Sequence, residues 1–197
     1  MHAQNKVSGV VLAGGQAKRM QQQDKGLLLL NGRPLVSYTL AAMLPLVDEL
    51  MISANRNQMK YSQFGYPIVA DQSQNFQGPL AGILAAMQVA EYPLLLVAPC
   101  DTPLLQSQYL LRLLNALTPE THLSIAFDGE RMHPVCMAVK TQLYGNLYDF
   151  LKNGGRKMQH WVNQQQSVQV DLSDVPEIFI NINTPTELDA LEENLKK

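Results

Sequence analysis

The sequence predicts an α/β fold: a single domain built on a mostly parallel, mixed, twisted sheet with helices on both faces. Three observations predict it. Short apolar runs of strand length alternate with stretches whose apolar residues recur at helical spacing, the pattern of βαβ units. The most apolar run, residues 94–98, has the composition of a central parallel strand buried on both faces. Gly14-Gly15, Asn55, Asp71 and Asp101 each follow the end of such a run, where open α/β sheets bind their ligands.

In chain order, residues 7–12 form a first strand that runs into Ala13-Gly14-Gly15. Residues 27–30 are too few for a helix, and Asn31-Gly32 is a turn signal. Pro34 opens a helix through Leu35, Val36, Leu40 and Met43, because a missing N–H does no harm in the first turn, and Pro45 stops it. Residues 49–54 are the second strand, and a short helix follows to Tyr61. Residues 67–70 are the third strand, with Asp71 just past it. Gly78-Pro79-Leu80-Ala81-Gly82 opens a helix through Ile83, Leu84, Met87 and Ala90. The apolar strand 94–98 leads into Pro99-Cys100-Asp101-Thr102-Pro103, then a helix over 107–117.

The last third predicts strands at 123–127 and 134–139, joined by the hairpin signal Asp128-Gly129-Glu130. Helices follow at 141–151 and 158–163, with strands at 168–170 and 178–182. Thr184-Pro185-Thr186-Glu187 has the form of a helix start: Thr at the cap, Pro at the first position, and Glu at the third to complete a capping box. The final helix runs through Leu188 and Leu191.

A chain of 197 residues, 46% apolar, suits one globular domain that needs no disulfide or metal staples. A net charge of −2 is unlike the basic surface of a nucleic-acid binder. Cys100 and Cys136 lack the C-x-x-C spacing of zinc or dithiol sites and read as free buried thiols of a reducing compartment. There is no signal peptide, and no apolar run approaches the ~18 residues of a membrane span. The expectation is a soluble, cytoplasmic protein with neither a nucleic acid nor a membrane as partner.

The stretch from Val7 to Gly26 carries the strongest chemical signal. Backbone N–H groups of a glycine turn can nest an anion, and Lys18, Arg19 and Lys25 supply charge. Neither G-x-x-x-x-G-K-[ST] nor G-x-G-x-x-G occurs, which disfavours a P-loop and an ordinary dinucleotide site. Gly14-Gly15 alone would be a plain turn; the cations at fixed distance point to a nucleotide. Asp101 reads in two ways, as a Mg²⁺ ligand among phosphate oxygens or as the cap of the next helix. Asp71 reads as a ribose or base ligand, an outer-shell metal partner, or a solvated acid.

Leu12-Ala13-Gly14-Gly15, Arg19-Met20 and Asp24-Lys25-Gly26 together resemble the signature of nucleotidyltransferases with a Rossmann-like, GT-A-like fold. Gly78-Pro79-Leu80-Ala81-Gly82, Cys100-Asp101-Thr102-Pro103, His133-Pro134, Gly155-Arg156-Lys157 and Asn181-Ile182-Asn183-Thr184 extend the resemblance over nearly the whole chain. The set is similar to the molybdenum cofactor guanylyltransferases. That resemblance implies a catalytic set of Asp101, Lys25 and Arg19, with Asp101 binding Mg²⁺. It implies nucleotide binding by Leu12, Ala13, Gly14, Gly15, Lys25, Ser53, Asn55, Asp71, Gly78, Pro79, Leu80 and Asp101. Ser53 is a departure, since relatives often carry Asn-Ala-Asn where this chain has Ser-Ala-Asn. His133, Arg156 and the Asn pair would serve the acceptor or the second phosphate; a hairpin His, a basic turn and a helix cap are the plain alternatives.

The resemblance further implies a nucleotide-binding part over about 1–105, an acceptor-binding part over about 106–197, GTP and molybdenum-bound molybdopterin as substrates, and transient contact with cofactor-synthesis or delivery proteins. Three alternatives remain: a cytidylyltransferase for the same acceptor or a sugar-phosphate nucleotidyltransferase, a non-catalytic cofactor carrier, and a doubly wound dehydrogenase.

Overall fold

Alternation of side chains across each strand builds two cores at once. The structure, a computed structural model, describes residues 6–13, 24–71, 78–182 and 184–195. Gly14, Gly15, Lys18, Arg19, Met20 and Asn183, all singled out in the sequence, lie outside the described residues.

After β1 (Val7–Leu12) comes a small hairpin of β2 (Leu29–Leu30) and β3 (Arg33–Pro34). Then follow α1 (Leu35–Met43), β4 (Glu49–Ser53), α2 (Gln58–Ser62), β5 (Ile68–Val69), α3 (Pro79–Val89), β6 (Leu94–Pro99) and α4 (Ser107–Asn115). The remainder comprises β7 (Leu123–Phe127), β8 (Met132–Lys140), α5 (Tyr144–Lys152), α6 (Met158–Val162), β9 (Ser167–Asp171) and α7 (Pro185–Asn194). Seven strands form one sheet in the order β5-β4-β1-β6-β8-β7-β9. β1 pairs in parallel with both β4 and β6, and β4 with β5. β8 is antiparallel to β6 and β7, while β9 runs parallel to β7, so β8 alone runs against the rest.

In β6, Leu96 and Ala98 join the core that also holds Leu40 and Met43 of α1 and Leu110 of α4. Leu95 and Val97 join the opposite core, with Ile83 of α3, Leu147 of α5 and Trp161 of α6. Helices therefore cover both faces, as the sequence predicts. A third, smaller cluster of Leu30, Leu35, Ile182 and Leu191 packs α7 against the β2–β3 hairpin. The backbone N–H of Asn31 adds a 2.6 Å bond to Glu192 Oε1.

Most predicted elements are found within a few residues of their expected ends. Asn31-Gly32 is the turn of the β2–β3 hairpin, with both residues at positive φ (48° and 75°), as a tight two-residue connection requires. Pro34 stands at the cap of α1 rather than inside its first turn. The strand predicted at 178–182 is not one. Pro176–Phe179 makes a single 3-10 turn, and Ile178, Phe179 and Ile182 are buried as separate anchors rather than alternating along a pleat. Ile182 N donates to the Asp101 carbonyl (3.0 Å) instead of to a neighbouring strand. Among the described residues no helix is long and apolar enough to cross a membrane, and both cysteines are buried and free.

The capping box at α7 is formed as predicted. Glu187 N donates to Thr184 Oγ1 (3.2 Å), and Thr184 N donates to Glu187 Oε2 (3.0 Å). Thr184→Ala should cost about 1 kcal/mol of stability, read as a lowered urea midpoint with unchanged slope; an unchanged midpoint would show that α7 is held by its apolar contacts alone.

Candidate active site

The strand order places β1 between β4 and β6, whose connections leave on opposite sides, and a crevice opens beyond their carboxyl ends. Leu12 pairs with Ser53 on one side and with Pro99 on the other. Ala13 N donates to Ser53 O (2.8 Å) and Cys100 N to Leu12 O (3.1 Å), which holds the three strand ends level. The resulting cleft measures about 800 Å³.

One end of the cleft is ionic. Asp101 lies in the turn after β6, and its Oδ2 receives Lys25 Nζ at 3.3 Å; the two side chains are 19% and 26% exposed. The helix after Asp101 begins at Ser107 with Gln106 as its cap, so the cap reading of Asp101 falls away. Lys25 is carried on the one-turn 3-10 helix Lys25–Leu27, next to buried Asp24. Cys100 lines the same wall, its thiol pushed well up chiefly by burial and then by the carboxylates of Asp101 and Asp24.

The other end is polar but less charged. Asn55 and Asp71 bond reciprocally: Asn55 Nδ2 donates to Asp71 Oδ2 (2.7 Å), and Asp71 N donates to Asn55 Oδ1 (2.8 Å). Asp71 Oδ1 is buried without a hydrogen-bond partner among the described residues. Burial holds the Asp71 carboxyl above its ordinary range, against the lowering effect of Asn55. Gly78, Pro79 and Gly82 bring the N-terminus of α3 to this wall, and its dipole favours negative charge there. Gly78 adopts φ 87°, a conformation side chains disfavour.

Ser53 is buried, and a Cβ on Gly82 would lie 2.5 Å from its Oγ. A serine here lets α3 approach β4 closely, in register with the departure from Asn-Ala-Asn. Leu80 is fully buried in the core against α5 and α6 and does not line the cleft, so only its main chain is available to a ligand.

The third wall comes from the second half of the chain. Arg156, Val135 and Asn181 line it. Arg156 Nη1 is fixed by the carbonyls of Leu151 (2.7 Å) and Gly155 (2.6 Å). His133 faces a neighbouring hollow of about 20 Å³ instead. Its Nε2 sits 2.6 Å from Asp128 Oδ2 and its ring stacks on Phe179 at 4.0 Å. The Arg131 amide and then His133 hold the Asp128 carboxyl well below the usual range.

The structure thus brings together Leu12, Ala13, Lys25, Ser53, Asn55, Asp71, Gly78, Pro79 and Asp101 in one cleft, while Leu80 and His133 stand off it. Sequence reasoning did not assign five of the wall residues to the site: Asp24, Arg56, Pro99, Cys100 and Val135. Arg56 follows the expected strand end, and Asp24 lies within the quoted signature, so a signal existed for both. Val135, inside β8, carried none. Among the described residues no group of three or more His, Cys, Asp and Glu side chains could cage a metal.

Residues 9–170 match the family model described as a MobA-like NTP transferase domain. A molybdenum cofactor guanylyltransferase of Shewanella loihica is 41% identical, covering 95% of this chain and 96% of its own length. One of Shewanella halifaxensis is 42% identical over 95% and 94% respectively. Among solved structures, molybdopterin-guanine dinucleotide biosynthesis protein A from Archaeoglobus fulgidus superposes with a TM-score of 0.80 at 20% identity, covering 96% of this chain and 98% of that one. Sequence and fold agree, and the chain belongs to the MobA-like NTP transferase family, among the molybdenum cofactor guanylyltransferases.

Proposed function

We propose that the chain transfers GMP from GTP to the terminal phosphate of molybdopterin, giving the guanine dinucleotide and pyrophosphate. The observation that carries this reading is the Lys25–Asp101 pair at the level ends of β1, β4 and β6. An oxygen of the acceptor phosphate attacks the α-phosphorus of GTP. A bond forms there as the bond from α-phosphorus to the bridging oxygen breaks, and pyrophosphate leaves with that electron pair. The attacking oxygen is already anionic, so no protein base is required. Catalysis rests on alignment and on charge offset along the triphosphate. Lys25 supplies a cation to the triphosphate. Gly14, Gly15 and Arg19 are assigned to it by the signature they share with the family.

Asp101 would hold Mg²⁺. A single half-buried carboxylate with no further acidic cage suits an ion that keeps water and phosphate oxygens as its main ligands. When bound, the ion offsets phosphate charge and orients the triphosphate. Asp71, with one buried oxygen unpaired among the described residues, suits a ligand edge rich in N–H donors, as the guanine base offers. Residues from about 1–105 would then bind the nucleotide. Arg156 and Asn181, from the remaining part, would face the acceptor.

Asp101→Ala should abolish pyrophosphate release with an unchanged circular dichroism spectrum; retained turnover would overturn the assignment. Calorimetry with Mg²⁺ should show GTP preferred over CTP, ATP and UTP, with that preference lost and the affinity weakened in Lys25→Ala. A CTP preference would leave the mechanism and change the product.

Asp71 gives a pH-dependent prediction. Its folded-state pKa is raised above the ordinary 3.8 by burial, so its ionised form weakens folding as pH rises through the folded value. Asp71→Asn should raise the urea midpoint at neutral pH, lose that gain below about pH 3.8, and weaken GTP binding. A lower midpoint at pH 7 would contradict the burial argument.

A further inference from the structure

Asp24 and Asn57 each stand at the cap position of a helix, and neither caps it. Asp24 precedes the turn Lys25–Leu27 and Asn57 precedes α2, yet neither side chain bonds its own helix's N–H groups. Such residues ordinarily do. Here they bond to each other: Asn57 Nδ2 donates to Asp24 Oδ2 at 3.1 Å. Tyr61, one turn further along α2, donates its hydroxyl to Asp24 Oδ1 at 2.5 Å. Both carboxylate oxygens of Asp24 are therefore taken from behind, by groups on a different element.

Two members of the cluster are buried, while Asn57 is exposed. Tyr61 is 0% exposed and Asp24 8%. Asn57 adopts the left-handed backbone (φ 52°) that turns its side chain toward Asp24. Leu27 N and Leu28 N bond the carbonyls of Asp24 and Lys25, closing the turn between them. A Cβ on Gly26 would lie 2.5 Å from the Tyr61 oxygen, so there is no slack on that side. Lys25, the next residue after Asp24, reaches forward to Asp101 across the cleft.

We propose that Tyr61 and Asn57, acting through the Asp24 carboxylate, are positioning residues that hold Lys25 at the triphosphate. The inference rests on the reading of Lys25 as a triphosphate ligand. Burial raises the Tyr61 hydroxyl far above its ordinary range, so it remains a donor throughout the working pH range. A side chain as long as lysine loses much rotamer freedom when it is fixed. A turn already locked at its root reduces what binding must supply.

The test is a double-mutant cycle, read as kcat/KM for GTP in pyrophosphate release with Mg²⁺ and molybdopterin. Tyr61→Phe keeps the ring and removes the donor. It should lower kcat/KM about 10-fold in the parent, the scale of one hydrogen bond to a charged group. In Lys25→Ala it should cost less than about 2-fold, because there is no longer an amine to place. Equal losses in both backgrounds would overturn the inference and mark the cluster as generally structural. Full activity of Lys25→Ala alone would overturn the reading of Lys25 and this inference with it. Asn57→Gly, which keeps the left-handed backbone and removes only the second donor, gives the same cycle should Tyr61→Phe fail to fold. Equal losses there would overturn the inference too.

Discussion

Two backbone hydrogen bonds, Ala13 to Ser53 and Cys100 to Leu12, hold three strand ends at one level, and the cleft exists because of them. Parallel strands that stop together leave their following loops side by side. The chain after β1 leaves through Ala13, that after β4 carries Asn55 and Arg56, and that after β6 carries Asp101. The side chains of Asn55 and Asp101 need not reach far, because the sheet has already brought their roots within range. The two cores serve this end by fixing the sheet from both faces. Interiors packed to crystal-like density do not deform smoothly, so the level is kept.

The sheet and its helices were legible because their signals are local. Apolar runs of strand length, helical spacing and a capping box all lie within a dozen residues of each other. The cleft was legible as far as strand ends and a short signature could carry it, which covers Lys25, Asn55, Asp71 and Asp101. What escaped depended on distant partners. Asp24 looks like any cap until Tyr61 and Asn57, 37 and 33 residues away, claim its carboxylate. Residues 178–182 have the composition of a strand, but residues 176–179 close into a 3-10 turn and the apolar side chains take separate holes. Leu80 shares a segment with Pro79 and Gly82 but points the other way around the helix.

The cleft is also where the molecule spends stability. Among the described residues, Asp71 keeps a buried oxygen unpaired, and the buried Asp24 carboxylate accepts from two neutral donors. Each arrangement weakens the free protein relative to an apolar replacement. Each makes sense where a ligand completes the bonding, or where one geometry must be held against alternatives. Away from the cleft, Ser124 Oγ donates to the Leu113 carbonyl at 2.7 Å and Thr39 Oγ1 to that of Pro99 at 3.0 Å, while among the described residues His122 Nδ1 is also buried without a hydrogen-bond partner.

The bond from Ile182 N to the Asp101 carbonyl, with Leu191 packed against Leu30 and Leu35, ties the turn that carries Asp101 to late parts of the chain. Contacts this far apart in sequence close slowly. During synthesis residues 1–105 emerge well before residue 182 does. The nascent chain therefore holds a partly built cleft whose aspartate turn has no clasp. The cleft is finished only when the wall that carries Arg156 and Asn181 has also been made.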